Sequence, residues 1–141
     1  MAFEITTTDV WAGHVAETPG ALADKLEAIQ RAGGNLEFAI VRPCASVTSG
    51  NSLMFVAPVT GERQAQAALE VGLSRGLHAL RVAIPDRPGL IAEVTRTLGD
   101  AGIAISGLWA AVLRGHAVLY LMLESGAETR RAAKVLSVKL S

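Results

Sequence analysis

The chain uses one device twice. Residues 17–34, ETPGALADKLEAIQRAGG, and residues 86–102, DRPGLIAEVTRTLGDAG, each set Pro-Gly just ahead of a helical run and close that run on glycine. Setting Pro19 on Pro88 brings Gly20 onto Gly89, Ala23 onto Ala92, Ala32 onto Ala101 and Gly33 onto Gly102 without a gap. The same frame pairs Leu22 with Ile91, Asp24 with Glu93, Ile29 with Leu98 and Leu36 with Ile105. Identity at both corners, with matched apolar spacing between them, marks an internal repeat. Further on, SGNSLMFVAPVTGERQAQAA matches RGHAVLYLMLESGAETRRAA, with Gly50 on Gly115, Gly61 on Gly126 and Ala67 and Ala68 on Ala132 and Ala133. That register is shorter by four residues, so the first copy carries a longer hairpin within RPCASVTSGN.

Each copy reads as strand, helix, strand, strand, helix and a closing strand. In the first, DVWAGHVA is extended, and Leu22, Leu26, Ile29 and Gly33 recur at helical spacing on one face. Pro19 suits the first helical position and Thr18 the N-cap. Asp24 sits in the first turn, where negative charge is favoured, and Gly33-Gly34 ends the helix. NLEFAIVR follows with Leu36, Phe38 and Ile40 alternating, then SLMFVAP as its hairpin partner and GERQAQAALEVG as the second helix. The second copy repeats this with LRVAIPD, PGLIAEVTRTLGDAG, IAISGLWAAVL, HAVLYLMLE and AETRRAAKVLS. The expected fold is α+β: two ferredoxin-like βαββαβ units in tandem, 9–76 and 77–141, with both helices on one face of each antiparallel sheet. The closing strands are the weak point. GLHALRVAIPD has to end one unit and begin the next, only SVKLS remains for the second unit, and FEITTT is left over as an extra edge strand.

Composition narrows the function classes. The 141 residues are 50% hydrophobic but only 4% aromatic, so the core is aliphatic. Thirteen basic residues balance thirteen acidic ones, and there is no basic stripe of the kind that phosphate-driven nucleic-acid binding needs. The single cysteine, Cys44, allows no internal disulfide. MAFEITTTDVW lacks the charged and apolar regions of a signal peptide. The charge-free stretch 101–113 falls short of the roughly 20 residues a membrane span requires. A cytoplasmic protein without membrane contact is expected. In HAVLYLMLE, Val118, Tyr120 and Met122 point one way while Ala117, Leu119, Leu121 and Leu123 point the other, so both faces are apolar. A sheet with one wet side does not tolerate this, which predicts a homodimer through sheet faces or edges.

A Pro-Gly corner at a helix start has chemical potential of its own. Glycine leaves the first unpaired N–H groups uncovered, and with the macrodipole behind them they suit a small carboxylate. The start of the second strand, Asn35 in the first copy and Ala104 in the second, offers further polar backbone.

ETPGALADKLEAIQRAGGNLEF and DRPGLIAEVTRTLGDAGIAI resemble the opening motif of ACT domains, small βαββαβ regulatory modules that typically bind amino acids. The resemblance implies a ligand between adjoining domains, held by the backbone after Pro-Gly and by the start of the second strand. Carried over, it implicates Thr18, Gly20, Ala21, Leu22 and Asn35 in the first unit, and Gly89, Leu90 and Ile91, flanked by Asp86 and Arg87, in the second. The chain departs from the motif at Ala104, where Asn is frequent, and at Glu17, where Asp is commoner. The resemblance thus implies a freestanding regulatory pair with an amino-acid ligand. The alternative is a ligand-free regulatory subunit or interaction module acting on an amino-acid biosynthetic enzyme.

Other constellations are weaker. His14, His78 and His116 show no metal-ligand spacing, so no metal is expected. Cys44 has Arg42 near it in sequence but no evident base. Ser46, Thr48, Ser49 and Ser52 mark a polar hairpin tip, not a nucleophile elbow. No phosphate loop or cofactor motif occurs. Trp11 and Trp109 fall on strands as packing residues, and no acid, base and nucleophile set emerges, so an enzyme is not expected.

Overall fold

A computed structural model describes residues 3–44 and 50–141. Ser46, Thr48 and Ser49, read above as a hairpin tip, lie outside the described residues. The elements run β1 (Glu4–Ala16), α1 (Ala21–Arg31), β2 (Phe38–Pro43), β3 (Asn51–Ala57) and α2 (Gly61–Glu70). They continue with β4 (Ser74–Pro85), α3 (Leu90–Asp100), β5 (Gly107–Leu113), β6 (His116–Leu123) and α4 (Gly126–Leu140). The chain divides into two compact units, Asp9–Leu77 and Met1–Thr8 with His78–Ser141. We call these the first and second units.

The first unit has the strand order β2-β3-β1-β4, with β1 antiparallel to β3 and β3 antiparallel to β2. The helix side of its sheet is fixed by register. Trp11 lies opposite Val56, Gly13 opposite Met54 and Val15 opposite Ser52, so these residues share one face. On that face Trp11, Val15, Met54 and Val56 are buried together with Ile29 of α1 and Ala68 of α2, and Leu22, Leu26 and Leu36 pack against them. Gly13 is there by necessity, because a Cβ at this position would lie 2.5 Å from the carbonyl oxygen of Gly72. The Arg75 guanidinium stands 5.2 Å from the centroid of the Trp11 ring and pairs with Asp9 at 3.5 Å.

The second unit has the order β1-β4-β6-β5, using the Glu4–Thr8 part of β1. Leu80, Val82 and Ile84 of β4 and Ala117, Leu119, Leu121 and Leu123 of β6 form its inner face. Leu90, Val94 and Leu98, one turn apart along α3, cover it with Ala132, Leu136 and Leu140 of α4. Phe3 and Ile5 pack against the same cluster, and Glu4 pairs with Arg81 at 2.9 Å.

Several expectations need correction. The closing strand of the second unit is not SVKLS: Ser137, Val138, Lys139 and Leu140 belong to α4, where Leu136 and Leu140 complete an apolar helical stripe. FEITTT supplies the strand instead, and β4 serves as the closing strand of one unit and the opening strand of the other. Leu36, Phe38 and Ile40 do not share a face. The chain bends at Glu37, whose N–H donates to Ala57 O at 2.8 Å, so Leu36 joins the core. Phe38 and Ile40, opposite Ala57 and Phe55, lie on the other side of the sheet from Met54 and Val56.

Both faces of β6 are apolar as expected, but Tyr120 and Met122, on the face away from the helices, are each only 3% exposed within one chain. Apolar surface in contact with solvent is grouped on β5, where Leu108, Val112 and Leu113 are 38%, 49% and 74% exposed, while Val41, Leu69, Ile91 and Val138 are exposed singly on other elements. No helix among the described residues is long and apolar enough to cross a membrane.

Candidate functional site

The two Pro-Gly segments build the same corner. At the end of β1 the N–H of Glu17 donates to Gly50 O at 3.0 Å; at the end of β4 the N–H of Asp86 donates to Gly115 O at 2.7 Å. Each strand end is thereby pinned to the tip of a hairpin. The next four residues form a turn, closed by Ala21 N–H on Thr18 O at 3.2 Å in the first unit and by Leu90 N–H on Arg87 O at 3.2 Å in the second. Gly20 (φ 88°, ψ −16°) and Gly89 (φ 80°, ψ 4°) occupy the third position. With proline second and a left-handed glycine third, both are type II turns. Glycine is required there because a Cβ in this region costs about 1–2 kcal/mol.

This geometry corrects the expected capping. The helices begin at Ala21 and Leu90 with Gly20 and Gly89 as N-caps, so Pro19 lies in the turn, outside the helix, and Thr18 contributes its carbonyl and no side-chain cap. A glycine cap has no side-chain oxygen to offer the helix, only its carbonyl. Asp24 N–H reaches Gly20 O and Glu93 N–H reaches Gly89 O, each at 2.9 Å. Between them the N–H groups of Leu22 and Ala23, and of Ile91 and Ala92, meet no acceptor among the described residues.

The other two helices are treated differently. On α4, Ser125 Oγ accepts from Glu128 N–H at 3.1 Å. On α2, Gln64 reaches back to accept from Thr60 N–H at 2.9 Å. The Ser125 cap of α4 has no counterpart at either Pro-Gly corner, nor at α2, where Gln64 bonds the N–H of Thr60 itself and the first helical residue, Gly61, is left-handed (φ 80°).

Both corners are unobstructed. Gly20 and Gly89 are exposed, and a Cβ built on either meets nothing within 4 Å. The neighbouring side chains differ between the units. Leu22 is half-buried against the first core, whereas Ile91 is 38% exposed; Ala21 is half-buried, whereas Leu90 is buried in the second core. Arg87 and Glu93 pair at 2.7 Å across the first turn of α3. Their counterparts Thr18 and Asp24 are exposed, as is Asp86.

Asn35 is exposed but stands at the far end of α1. Eleven helical residues rise about 16 Å, so one unit does not bring Asn35 and Gly20 to the same small molecule. The same holds for Ala104 and Gly89 across the eleven residues of α3. A shallow groove of about 350 Å³ lies between α1 and α2, but Arg31, Ala32 and Arg63 line it at the C-terminal end of α1, away from Gly20. Among the described residues no group of three His, Cys, Asp or Glu side chains is placed to hold a metal ion.

One pairing escaped the sequence. Cys44 Sγ lies 3.7 Å from His14 Nδ1, although the two are 30 residues apart. Only the register of β2 on β3 and of β3 on β1 brings them together, and no local spacing could have announced it.

No family model matches the chain, and no curated protein matches it. Solved structures do. Protein BT0572 from Bacteroides thetaiotaomicron superposes with a TM-score of 0.76 at 13% identity, over 96% of this chain and 90% of that one. The ligand-free regulatory subunit of aspartate kinase from Thermus thermophilus gives 0.68 at 13% identity, over 100% and 99%. Aspartokinase III of E. coli, in complex with aspartate and ADP, gives 0.58 at 14% identity, over 99% of this chain and 33% of the enzyme. At these identities the likeness is one of fold, and the fold is ACT-domain-like, as the repeated motif implied.

Proposed function

We propose that the chain is a regulatory module that binds a free amino acid at its Pro-Gly corners. The observation that carries this reading is the matching, uncapped start of α1 and α3, set against the capped start of α4. The start of α4 is closed by Ser125 Oγ, whereas the two starts that follow Pro-Gly carry no side-chain cap and leave a pair of amide donors without an acceptor among the described residues. A carboxylate offered to Leu22 and Ala23, or to Ile91 and Ala92, gains charge-assisted hydrogen bonds together with the favourable end of the helix dipole. The rest of the amino acid is held from outside the same unit, because Asn35 is a helix length away from Gly20. A homodimer supplies such contacts, and the uncharged, exposed β5 gives it a surface. The regulatory subunit of aspartate kinase having this fold supports control of an enzyme over chemistry by the chain itself.

The test is a thermal-shift screen of the full chain against the twenty amino acids at millimolar concentration. A ligand at a hundredfold its Kd adds about 2.7 kcal/mol to stability, which such a screen resolves easily. At least one amino acid should raise the melting temperature. Gly20→Leu or Gly89→Leu should remove part or all of that rise while far-UV circular dichroism and sedimentation mass stay unchanged. A flat screen on folded protein overturns the reading. The exposed β5 would then favour the second one, a subunit that binds its enzyme without a ligand of its own.

A further inference from the structure

We infer that β5 is a self-pairing edge, joined antiparallel to β5 of a second copy of this chain with Ala110 on the two-fold axis. It gives the homodimer invoked above a defined register, and it stands with or without an amino acid at the Pro-Gly corners. β2 and β5 are the outer strands of the two units. They are protected very differently. β2 ends in Arg42 and Pro43, a charge and a residue without an N–H, which discourage a further strand. β5, GLWAAVL, has neither a charge nor a proline. Among the described residues no strand lies on its side away from β6, where its outward N–H and C=O groups form a template for pairing.

The side chains of β5 identify the occupant as a copy of itself. Leu108, Ala110 and Val112 stand opposite Leu121, Leu119 and Ala117 and so fall on the helix side of the sheet, while Gly107, Trp109, Ala111 and Leu113 fall on the other. A two-fold axis through Ala110, perpendicular to the sheet, keeps the α3–α4 layers of both copies on one side. It sets each residue opposite the one equally far beyond Ala110. Leu108 then meets Val112 of the copy, so side chains 38% and 49% exposed cover each other. On the other face Trp109 meets Ala111 and Leu113 meets Gly107, a large residue against a small one each time. A Cβ on Gly107 would lie 3.3 Å from Met122 Cβ, and Leu113, 74% exposed, fills the space that the glycine leaves open. Centring the axis on Trp109 would oppose the two indoles, and centring it on Ala111 would set Leu108 against Arg114. Pairing β5 with β2 of the copy leaves a free β5 on every added chain, whereas β5 on β5 closes at two.

Sedimentation equilibrium of the full chain without ligand tests this separately from the thermal-shift screen. The native chain is expected at twice the chain mass. Val112→Lys and Leu108→Glu, both at exposed positions, should each halve that mass while leaving the circular dichroism spectrum intact. Val41→Lys, at an exposed position on β2, should leave it doubled. Mixing the Val112→Lys and Leu108→Glu chains should restore the doubled mass, because this register sets the introduced positive charge opposite the introduced negative one. A monomeric native chain overturns the inference and leaves the edge to a different protein. So does a Val112→Lys chain that stays dimeric, or a mixture of the two folded variants that stays monomeric.

Discussion

Gly20 and Gly89 do two things that no other residue does together. They accept a left-handed backbone, and as N-caps they bring no side-chain oxygen to the helix. The repeat in the sequence identified these positions correctly as corners, but it placed the cap two residues too early, at Thr18 instead of Gly20. Thr18 is the best capping residue in ETPG by propensity, yet the type II turn takes precedence. Once Pro19 occupies the second turn position, the cap falls on the residue that follows it. The two residues therefore respond differently to alanine. Gly20→Ala meets no steric obstacle and should still lose about 1 kcal/mol in urea unfolding, from φ alone. Thr18→Ala should stay within about 0.5 kcal/mol of the native chain, because the exposed threonine side chain makes no cap. A Thr18→Ala loss equal to that of Gly20→Ala would show that the hydroxyl caps after all.

Among the elements, α4 and α3 show how differently one fold starts its helices. Ser125, Glu128 and Thr129 form a closed start, with Ser125 Oγ accepting from Glu128 N–H and Thr129 Oγ1 donating to Ser125 O at 2.8 Å. Ser125→Ala should destabilise the second unit by about 1 kcal/mol, read from the shift of the urea midpoint at unchanged slope. The C-terminal ends of α1 and α3 are closed by arginines. Arg63 donates to Arg31 O at 3.1 Å and Arg131 donates to Ala101 O, so each second helix caps the last turn of the first. The helices and the β5–β6 hairpin were legible because their periodicity is local and strong. Leu90, Val94 and Leu98 recur at every fourth residue, and β6 is apolar on both sides. The break between Leu36 and Phe38 was not legible, because it depends on a backbone hydrogen bond from Glu37 across to Ala57. The Cys44–His14 contact was hidden for the same reason. It exists only after three strands have found their register.

At the scale of the whole molecule, the missing strand is the main lesson. Pattern alone gave GLHALRVAIPD two duties and FEITTT only that of an extra edge strand, since each segment looks the same whichever unit it joins. Burial decides between them. Phe3 and Ile5 pack on the cluster built by α3, α4, β4 and β6. Deleting residues 3–8 should therefore expose one edge of β4 and part of that cluster. Hydrogen exchange should then rise along 78–85 and 116–123 of the second unit, while β3 of the first stays protected. Equal loss in both units, or none, would contradict the division of β1. That division also sets a schedule. The first unit is one unbroken run of chain and can close as soon as residue 77 has left the ribosome. The second unit, translated later, is completed by a strand translated before the first unit, which must stay available through the synthesis of more than a hundred residues. Assembly is thus ordered in time, with the half that is made last depending on a segment kept in reserve.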